Sequence, residues 1–154
     1  MENRAKKEKI ASWVGRVLCM IYIAGLCYFL FFAENYGRTF GQENYRYNLI
    51  PFKEIERFWK YREELGIHSF YNLAGNVIGF IPAGFLFSEL LGKKRGLLFT
   101  TLITFQMSLG VEILQLVLKV GSFDVDDLIL NTLGGMLGYF LMKLIGRWGK
   151  REKV

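Results

Sequence analysis

The chain has 154 residues, 52% of them hydrophobic and 16% aromatic, and its formal net charge at pH 7 is +6. This composition is far more apolar than that of an average soluble domain, and the length allows one small domain or one small helical membrane bundle. The positive charge gathers at the N-terminus, at residues 93–95 and at the C-terminus, which excludes a continuous basic surface of the kind that binds nucleic acid.

The first apolar block, residues 13–33, follows a basic stretch and resembles a secretory signal peptide at first sight. Its apolar run is longer than an ordinary signal-peptide core, and no small-x-small cleavage site follows it. We predict that this block is an uncleaved first membrane span.

Residues 34–71 form the largest segment between apolar blocks. Within it, Pro51 precedes a stretch from Lys53 to Leu65 whose spacing predicts an amphipathic helix. Trp59 and Tyr61 suit a helix that lies in the membrane interface, with aromatic rings at headgroup level. The alternative is a solvated cap packed on the bundle.

Three further apolar blocks, residues 72–91, 97–118 and 127–146, are each close to the roughly 20 residues that a helix needs to cross a bilayer. The predicted fold is therefore an all-α integral membrane four-helix bundle, one domain over residues 1–154, with an extracytoplasmic amphipathic helical segment between spans 1 and 2. Pro82 is expected to bend the second span.

The basic clusters fall at the N-terminus, between spans 2 and 3, and at the C-terminus. Four spans place all three on one side of the membrane, and the positive-inside rule makes that side cytoplasmic. Both termini are then cytoplasmic, and the lipid bilayer is the first partner that the sequence implies.

Polar and small residues in spans 2 to 4 recur three and four positions apart, so each span presents one polar face. Such faces pack helix against helix, with Gly134 and Gly138 allowing close backbone approach. With the topology above, the polar faces converge on the extracytoplasmic end. The polar residues of these faces are Asn72 and Asn76 in span 2, Thr101, Thr104, Ser108, Glu112, Gln115 and Lys119 along span 3, and Asp127 and Asn131 in span 4. Those expected at the extracytoplasmic end are Asn72, Asn76, Glu112, Gln115, Asp124, Asp126, Asp127 and Asn131.

Glu112 and Gln115 allow two interpretations. A carboxylate and an amide one turn apart can face a polar cavity that takes a headgroup, a cation or a proton. They can also serve only as interhelical hydrogen-bonding groups that contact Asn76 or Asn131. An ionisable residue at membrane depth is costly, so the functional interpretation is favoured.

Asp124, Asp126 and Asp127 also allow two interpretations. Asp124 is a candidate N-cap of the fourth span, with the neighbouring acids complementing the helix dipole. Clusters of oxygen ligands also favour hard cations such as Mg²⁺ or Ca²⁺, so a metal-bridged phosphate ligand is a further option. No Ser/His/Asp set, Cys nucleophile, zinc-ligand spacing or glycine-rich phosphate loop is present in the sequence, and no cofactor is predicted.

Together these residues resemble the VanZ-like family of bacterial membrane proteins, over residues 48–140. Some members have an arginine at about Gly121, where this chain has none, and Lys119 cannot reproduce a bidentate arginine contact. The resemblance implies a multi-pass protein of the bacterial cell membrane, and the founding member is linked to resistance to the glycopeptide teicoplanin. The matching motifs are Asn48-Leu-Ile-Pro51-Phe52, Asn72-Leu-Ala-Gly-Asn76-Val-Ile-Gly-Phe80-Ile-Pro82-Ala-Gly84, Glu112-Ile-Leu-Gln115, Asp124-Val-Asp126-Asp127 and Asn131-Thr132-Leu-Gly134-Gly135.

By this resemblance the expected function is to modulate susceptibility to glycopeptide antibiotics. We expect the polar pocket to bind a lipid or cell-wall precursor headgroup at the outer leaflet. The alternatives are a membrane enzyme acting on a lipid-linked phosphate through a carboxylate or metal site, and a membrane partner whose polar residues only hold helices together. The expected ligand-binding residues are Asn72, Asn76, Glu112, Gln115, Asp124, Asp126, Asp127 and Asn131.

Overall fold

The computed structural model of the chain describes residues 2–32, 44–91 and 96–151, and over these residues it is helical apart from two short strands. The basic residues 93–95 and the first part of the segment between spans 1 and 2, residues 34–43, lie outside the described residues. In chain order the elements are α1 (Glu2–Phe32), β1 (Arg46–Asn48), α2 (Lys53–Lys60), α3 (Arg62–Leu91), α4 (Leu97–Val117), β2 (Ser122–Asp124) and α5 (Val125–Arg151).

Three of these helices are long and apolar enough to cross a membrane, over Phe70–Glu89, Leu97–Leu118 and Val125–Ile145. They agree with the three predicted spans that follow residue 71 to within two residues. In the described part of α1 the apolar stretch is Val17–Tyr28, which is shorter than a span. The all-helical membrane fold is thus confirmed with three candidate spans, while the span at 13–33 and the four-helix bundle stay predictions.

Among the described residues, more polar than apolar side chains are buried, and many large apolar side chains are exposed. The buried face of α4 consists of polar residues, whereas Leu98 and Leu102 on its other faces are exposed. Lipid tails solvate such side chains as well as a protein core does, so helices in a membrane associate through small and polar residues instead. The buried residues of α4 are Thr100, Thr104, Ser108, Glu112 and Gln115.

Thr101, which was predicted to lie on this face, is only half-buried, and its hydroxyl donates to the carbonyl of Leu97 within the same helix. The hydroxyl of Ser88 on α3 lies 3.5 Å from that of Thr100. Thr100, and not the predicted Thr101, therefore belongs to the buried face of α4.

Glycines bring α3 and α5 into direct backbone contact. A Cβ on Gly84 would overlap the carbonyl of Gly135, and one on Gly134 would overlap the carbonyl of Val77. Gly138 meets α3 in the same way at the carbonyl of Ile81. The prediction that Gly134 and Gly138 serve helix packing is confirmed.

Helix α1 packs on α3 and α4 through a small apolar core. Leu26 and Leu30 are buried together with Phe80 and Ala83 of α3. The Tyr22 hydroxyl donates to the carbonyl of Gly79 at 2.7 Å, a polar contact between the two helices. Pro82 lies inside α3 without ending the helix.

The helix predicted over 53–65 is divided in two. Tyr61, with φ −110° and ψ 23°, ends α2, and Arg62 begins α3, which contains the candidate span Phe70–Glu89. No residue of α2 is buried, and Trp59 is 77% exposed. A helix without a buried face has no packing to keep it collinear with α3, so the chain turns at Tyr61.

The two strands were not predicted. β1 and β2 pair in parallel, with Arg46 opposite Ser122, Tyr47 opposite Phe123 and Asn48 opposite Asp124. A strand of three residues is too short to show the alternation by which strands are identified in a sequence. The pairing fixes residues 44–61, which we call the strap, against the start of α5.

The close contact between α3 and α5 can be tested by a glycine-to-alanine substitution, which adds one methyl group. Because a Cβ at position 84 overlaps backbone rather than a flexible side chain, Gly84→Ala must separate the helices, and we expect it to lower the free energy of unfolding by about 1–3 kcal/mol. Gly110→Ala on α4 is the matched control, since nothing lies within 4 Å of its Cβ position. Thermal unfolding in detergent measures both; equal stability of the two variants would contradict the close packing.

Candidate functional site

Polar residues of three helices and the strap meet where α4 ends and α5 begins. Each of them makes a hydrogen bond to another element of the chain, and we call the set the polar network. Its members are Asn48, Asn76, Ser108, Glu112, Gln115, Asp124, Asp126, Asp127 and Asn131.

Asp126 caps a helix that lies more than seventy residues earlier in the chain. The side chain of Phe52, the residue before α2, makes no capping hydrogen bond. Instead, the amide of Phe52 donates to Asp126 Oδ1, and the amides of Glu54 and Ile55 donate to Asp126 Oδ2 at 2.7 and 3.3 Å. The carboxylate is fully buried, and these charge-assisted hydrogen bonds offset its desolvation.

Asp124 caps α5 and also holds the strap. Its Oδ1 accepts from the amide of Asp126 at 2.8 Å, which confirms the predicted N-cap, and from Nδ2 of Asn48 at 3.1 Å. Burial raises the pKa of the Asp124 carboxyl above 3.8, against the opposing effect of those two hydrogen bonds. Asn48 in turn accepts from the amide of Ile50 at 3.3 Å, so it fixes the turn that leads into α2.

Glu112 points into the bundle and away from lipid. It is 1% exposed, and its Oε2 accepts from the amide of Asp124 at 2.9 Å. The carboxylate therefore connects the last turns of α4 to the beginning of α5.

Lys119 forms the turn between α4 and β2. Its φ of 54° places it in the left-handed region, where glycine is usual after a helix. The amide of Val120 donates to the carbonyl of Gln115 at 3.1 Å and that of Lys119 to the carbonyl of Leu116 at 3.2 Å, a Schellman motif. The Lys119 ammonium lies 4.8 Å from the ring centroid of Tyr45 on the strap.

Amide side chains join the remaining parts of the network. Asn76 Nδ2 on α3 donates to Asp127 Oδ1 on α5. Asn131 Nδ2 donates to Ser108 Oγ at 2.9 Å, and Gln115 Nε2 donates to the carbonyl of Leu30 on α1 at 2.7 Å. The sequence identified most of these residues but not their partners, because backbone amides and carbonyls leave no signal in a sequence.

Within the described part of the chain, two buried side-chain oxygens have no hydrogen-bond partner, Gln115 Oε1 and Asn131 Oδ1. A buried acceptor without a donor costs about 1–3 kcal/mol. Both residues are fully buried. Gln115 lies one turn after Glu112 on α4, and Asn131 of α5 bonds to Ser108, which lies one turn before Glu112. The network can therefore accept further hydrogen bonds from a donor such as a hydroxyl, an ammonium group or water.

Of the eight predicted site residues, hydrogen bonds join Glu112 and Asp126 to Asp124, and Asn76 to Asp127. Gln115 and Asn131 are buried and bond to Leu30 and Ser108, and Asn72 is the exception. Its side chain is exposed, whereas Asn76 is buried against Asp127. Asn72 precedes Asn76 by one turn, about 6 Å along the axis, and Asp127 is already in the first turn of α5. Asn72 thus lies beyond the start of the helix that would cover it.

The carboxylates of the network are not arranged as a metal site. Over residues 2–32, 44–91 and 96–151, no group of three or more His, Cys, Asp and Glu side chains could hold a metal ion. Asp124 and Asp126 direct their oxygens at amide groups instead.

Comparison with known proteins gives one family. The VanZ/LLP1 family model matches residues 19–146. Over 143 residues the chain is 30% identical to Protein VanZ of Enterococcus faecium, an alignment that covers 92% of this chain and 81% of that protein. No solved structure matches the chain.

The cap on α2 makes a prediction for Asp126→Asn. Asparagine presents an NH₂ group to at least one amide that now donates to a carboxylate oxygen, so we expect the attachment of the strap to weaken by about 1–3 kcal/mol. Hydrogen exchange at Glu54 and Ile55 should accelerate, while exchange in α5 changes little. Glu56→Gln, which alters an exposed acid on α2, is the control. Unchanged exchange in Asp126→Asn would mean that other contacts hold the strap.

The raised pKa of Asp124 predicts a pH dependence of stability. Because the folded chain holds this proton more tightly than the unfolded chain, ionisation of Asp124 reduces stability as pH rises through the raised pKa. Asp124→Asn removes the ionisation and retains an N-cap side chain. We therefore expect the stability of Asp124→Asn relative to the unchanged chain to increase as pH rises from 3.8 toward neutrality. Melting curves in detergent at stepped pH measure this difference, and a constant value would refute the assignment.

Proposed function

Because this chain belongs to the VanZ/LLP1 family, we propose that it lowers susceptibility to teicoplanin-type glycopeptide antibiotics by binding a lipid or cell-wall precursor headgroup at the polar network. The proposal places the chain in the bacterial cell membrane as a multi-pass protein with both termini in the cytoplasm. The basic residues at the N-terminus, at 93–95 and at the C-terminus support that orientation. The polar network then faces the outer leaflet, where glycopeptides act on the cell envelope.

The observation that carries the proposal is the pair of unpartnered acceptors, Gln115 Oε1 and Asn131 Oδ1. Interhelical hydrogen bonding alone would leave few such atoms, because each one costs stability. Polar headgroups with hydroxyl or ammonium groups supply the missing donors. Four nearby carboxylates oppose an anionic group at the same place. The favoured part of the headgroup is therefore rich in donors and neutral or cationic.

A substitution of Glu112 tests whether the negative charge of the polar network is needed for the proposed function. Glu112→Gln keeps an oxygen that can accept from the amide of Asp124 but removes the negative charge. We expect a strain that produces this variant to be as susceptible to teicoplanin as a strain without the protein, although the variant reaches the membrane at a normal level. The measurement is the minimal inhibitory concentration, together with the amount of protein in the membrane fraction.

Glu64→Gln is the matched control, since it makes the same chemical change at an exposed position on α3. It should leave the antibiotic phenotype unchanged. If Glu112→Gln retains both full effect and normal protein level, the charged site is not needed and the proposal fails. If the variant is lost from the membrane, Ser108→Ala and Asn131→Ala provide neutral tests of the same network.

A further inference from the structure

We propose that the exposed side of α4 binds the same side of a second copy of this chain, with the two Gln106 amides hydrogen-bonded to each other. We call this surface the outward face of α4, and it includes Gln106, Gly110, Ile113 and Val117. By helical spacing it lies opposite the buried face that carries Glu112. The inference therefore goes beyond the proposed headgroup site and does not rest on it.

Gln106 is an exposed amide in the middle of a candidate membrane span. It is the tenth residue of Leu97–Leu118, and the helix rises by about 14 Å from Gln106 to the nearer end of that span. A glutamine side chain is much shorter than this, so its amide cannot reach the headgroups.

The depth of Gln106 distinguishes it from the other exposed polar groups. Among the described residues of the three candidate spans, the other exposed amide and charged side chains are Asn72, Glu89 and Lys143. Each of these lies within two residues of a span end, where headgroups and water are close. Gln106 alone among them lies near the middle of its span.

The amide of Gln106 needs hydrogen-bond partners that the chain does not supply. Within the described part of the chain its side chain makes no hydrogen bond. The hydrocarbon core has no water that could take this role, so a polar group there is stabilised by hydrogen bonds from another helix. The partner must present donors and acceptors at the same depth.

A second copy of the chain meets this requirement by symmetry. Copies of one protein insert in the same orientation, and a twofold axis along the membrane normal then places each residue at the depth of its equivalent. A glutamine side chain carries both an acceptor oxygen and an NH₂ donor. Two Gln106 side chains can therefore donate to each other, so the amide is its own complement.

The shape of the outward face suits the approach of a second helix. Its positions 99, 103, 106, 110, 113 and 117 are spaced 4, 3, 4, 3 and 4, the pattern of a helix–helix seam. Gly110 lies one turn after Gln106, and nothing lies within 4 Å of a Cβ built on it. A small residue at this place lets two backbones come close. Ile113 and Val117 continue the seam and are exposed.

The first test measures association of the full chain in vesicles of phosphatidylglycerol and phosphatidylethanolamine. Fluorescence energy transfer between donor-labelled and acceptor-labelled copies, over a range of protein-to-lipid ratios, gives the dissociation constant of the dimer. We expect Gln106→Leu to raise this constant about tenfold, because it removes two interhelical hydrogen bonds. Leucine suits a lipid-exposed position, so this variant should fold. Gln106→Asn keeps a self-complementary amide and should associate more tightly than Gln106→Leu.

A bulky side chain at Gly110 tests the shape of the seam. Gly110→Leu holds the two backbones apart and should also raise the dissociation constant about tenfold. Gly25→Leu is the matched control, because Gly25 is an exposed glycine on α1 whose Cβ position is equally open. It should associate like the unchanged chain.

Oxidative cross-linking identifies the face that forms the contact. The background is a chain with Cys19→Ser and Cys27→Ser, which removes both natural cysteines. Ile113→Cys in this background should give disulfide-linked dimers, since equivalent residues of the seam meet across the twofold axis. Leu137→Cys, at an exposed position on α5, is the control and should stay monomeric.

Three results would overturn the proposal. The first is a chain that stays monomeric at every protein-to-lipid ratio, which would assign Gln106 to a different membrane partner. The second is unchanged association in both Gln106→Leu and Gly110→Leu. The third is stronger cross-linking through Leu137→Cys than through Ile113→Cys. The antibiotic phenotype of Glu112→Gln is a separate readout, because that variant leaves the outward face intact and should associate normally.

Discussion

The arrangement of the strap and the polar network depends on the hydrogen bonds that the fully buried carboxylate of Asp126 accepts. Asp126 accepts amide hydrogen bonds from the first turn of α2, while its own amide donates to Asp124, which caps α5. One residue thus belongs to the start of two helices. Amides at a helix N-terminus carry partial positive charge, so a carboxylate is stabilised there even when water is excluded. With this contact in place, β1 and β2 can pair, and the strap covers the end of the bundle.

The acidic residues are the most conspicuous members of the polar network in the sequence, but most of their hydrogen bonds go to backbone amides. The acceptors that a ligand could still use are therefore different residues. Asp124, Asp126 and Glu112 accept from backbone amides and shape the turn between α4 and α5. The buried acceptors that lack a donor belong to neutral side chains, Gln115 and Asn131. The carboxylates then act on a ligand mainly through their charge, which opposes anions and favours neutral or cationic groups.

The sequence allowed the candidate spans and most of the polar network residues to be predicted. The length of the apolar blocks identified the helices, and the spacing of polar residues identified their buried faces. Three apolar blocks near 20 residues, each with a polar face, define α3, α4, α5 and their inward sides with little ambiguity. Hydrogen bonds from side chains to backbone groups could not be predicted from length and spacing. The cap of α2 by Asp126 and the pairing of β1 with β2 involve amide groups that every residue possesses. The exposure of Asn72 depends on where α5 begins relative to α3, which periodicity within one helix does not determine.

The parallel pairing of the strap has a consequence for the order in which the molecule assembles. Asn48 and Asp124 are 76 positions apart, and the two candidate spans in α3 and α4 lie between them. Contacts of such high sequence separation form late, because the intervening chain must first be confined. During synthesis the strap leaves the ribosome well before its partner, and it stays unpaired until α3 and α4 are inserted and α5 has begun. The polar network is therefore completed only with α5, and a chain that stops after α4 would have α1 to α4 but no organised network.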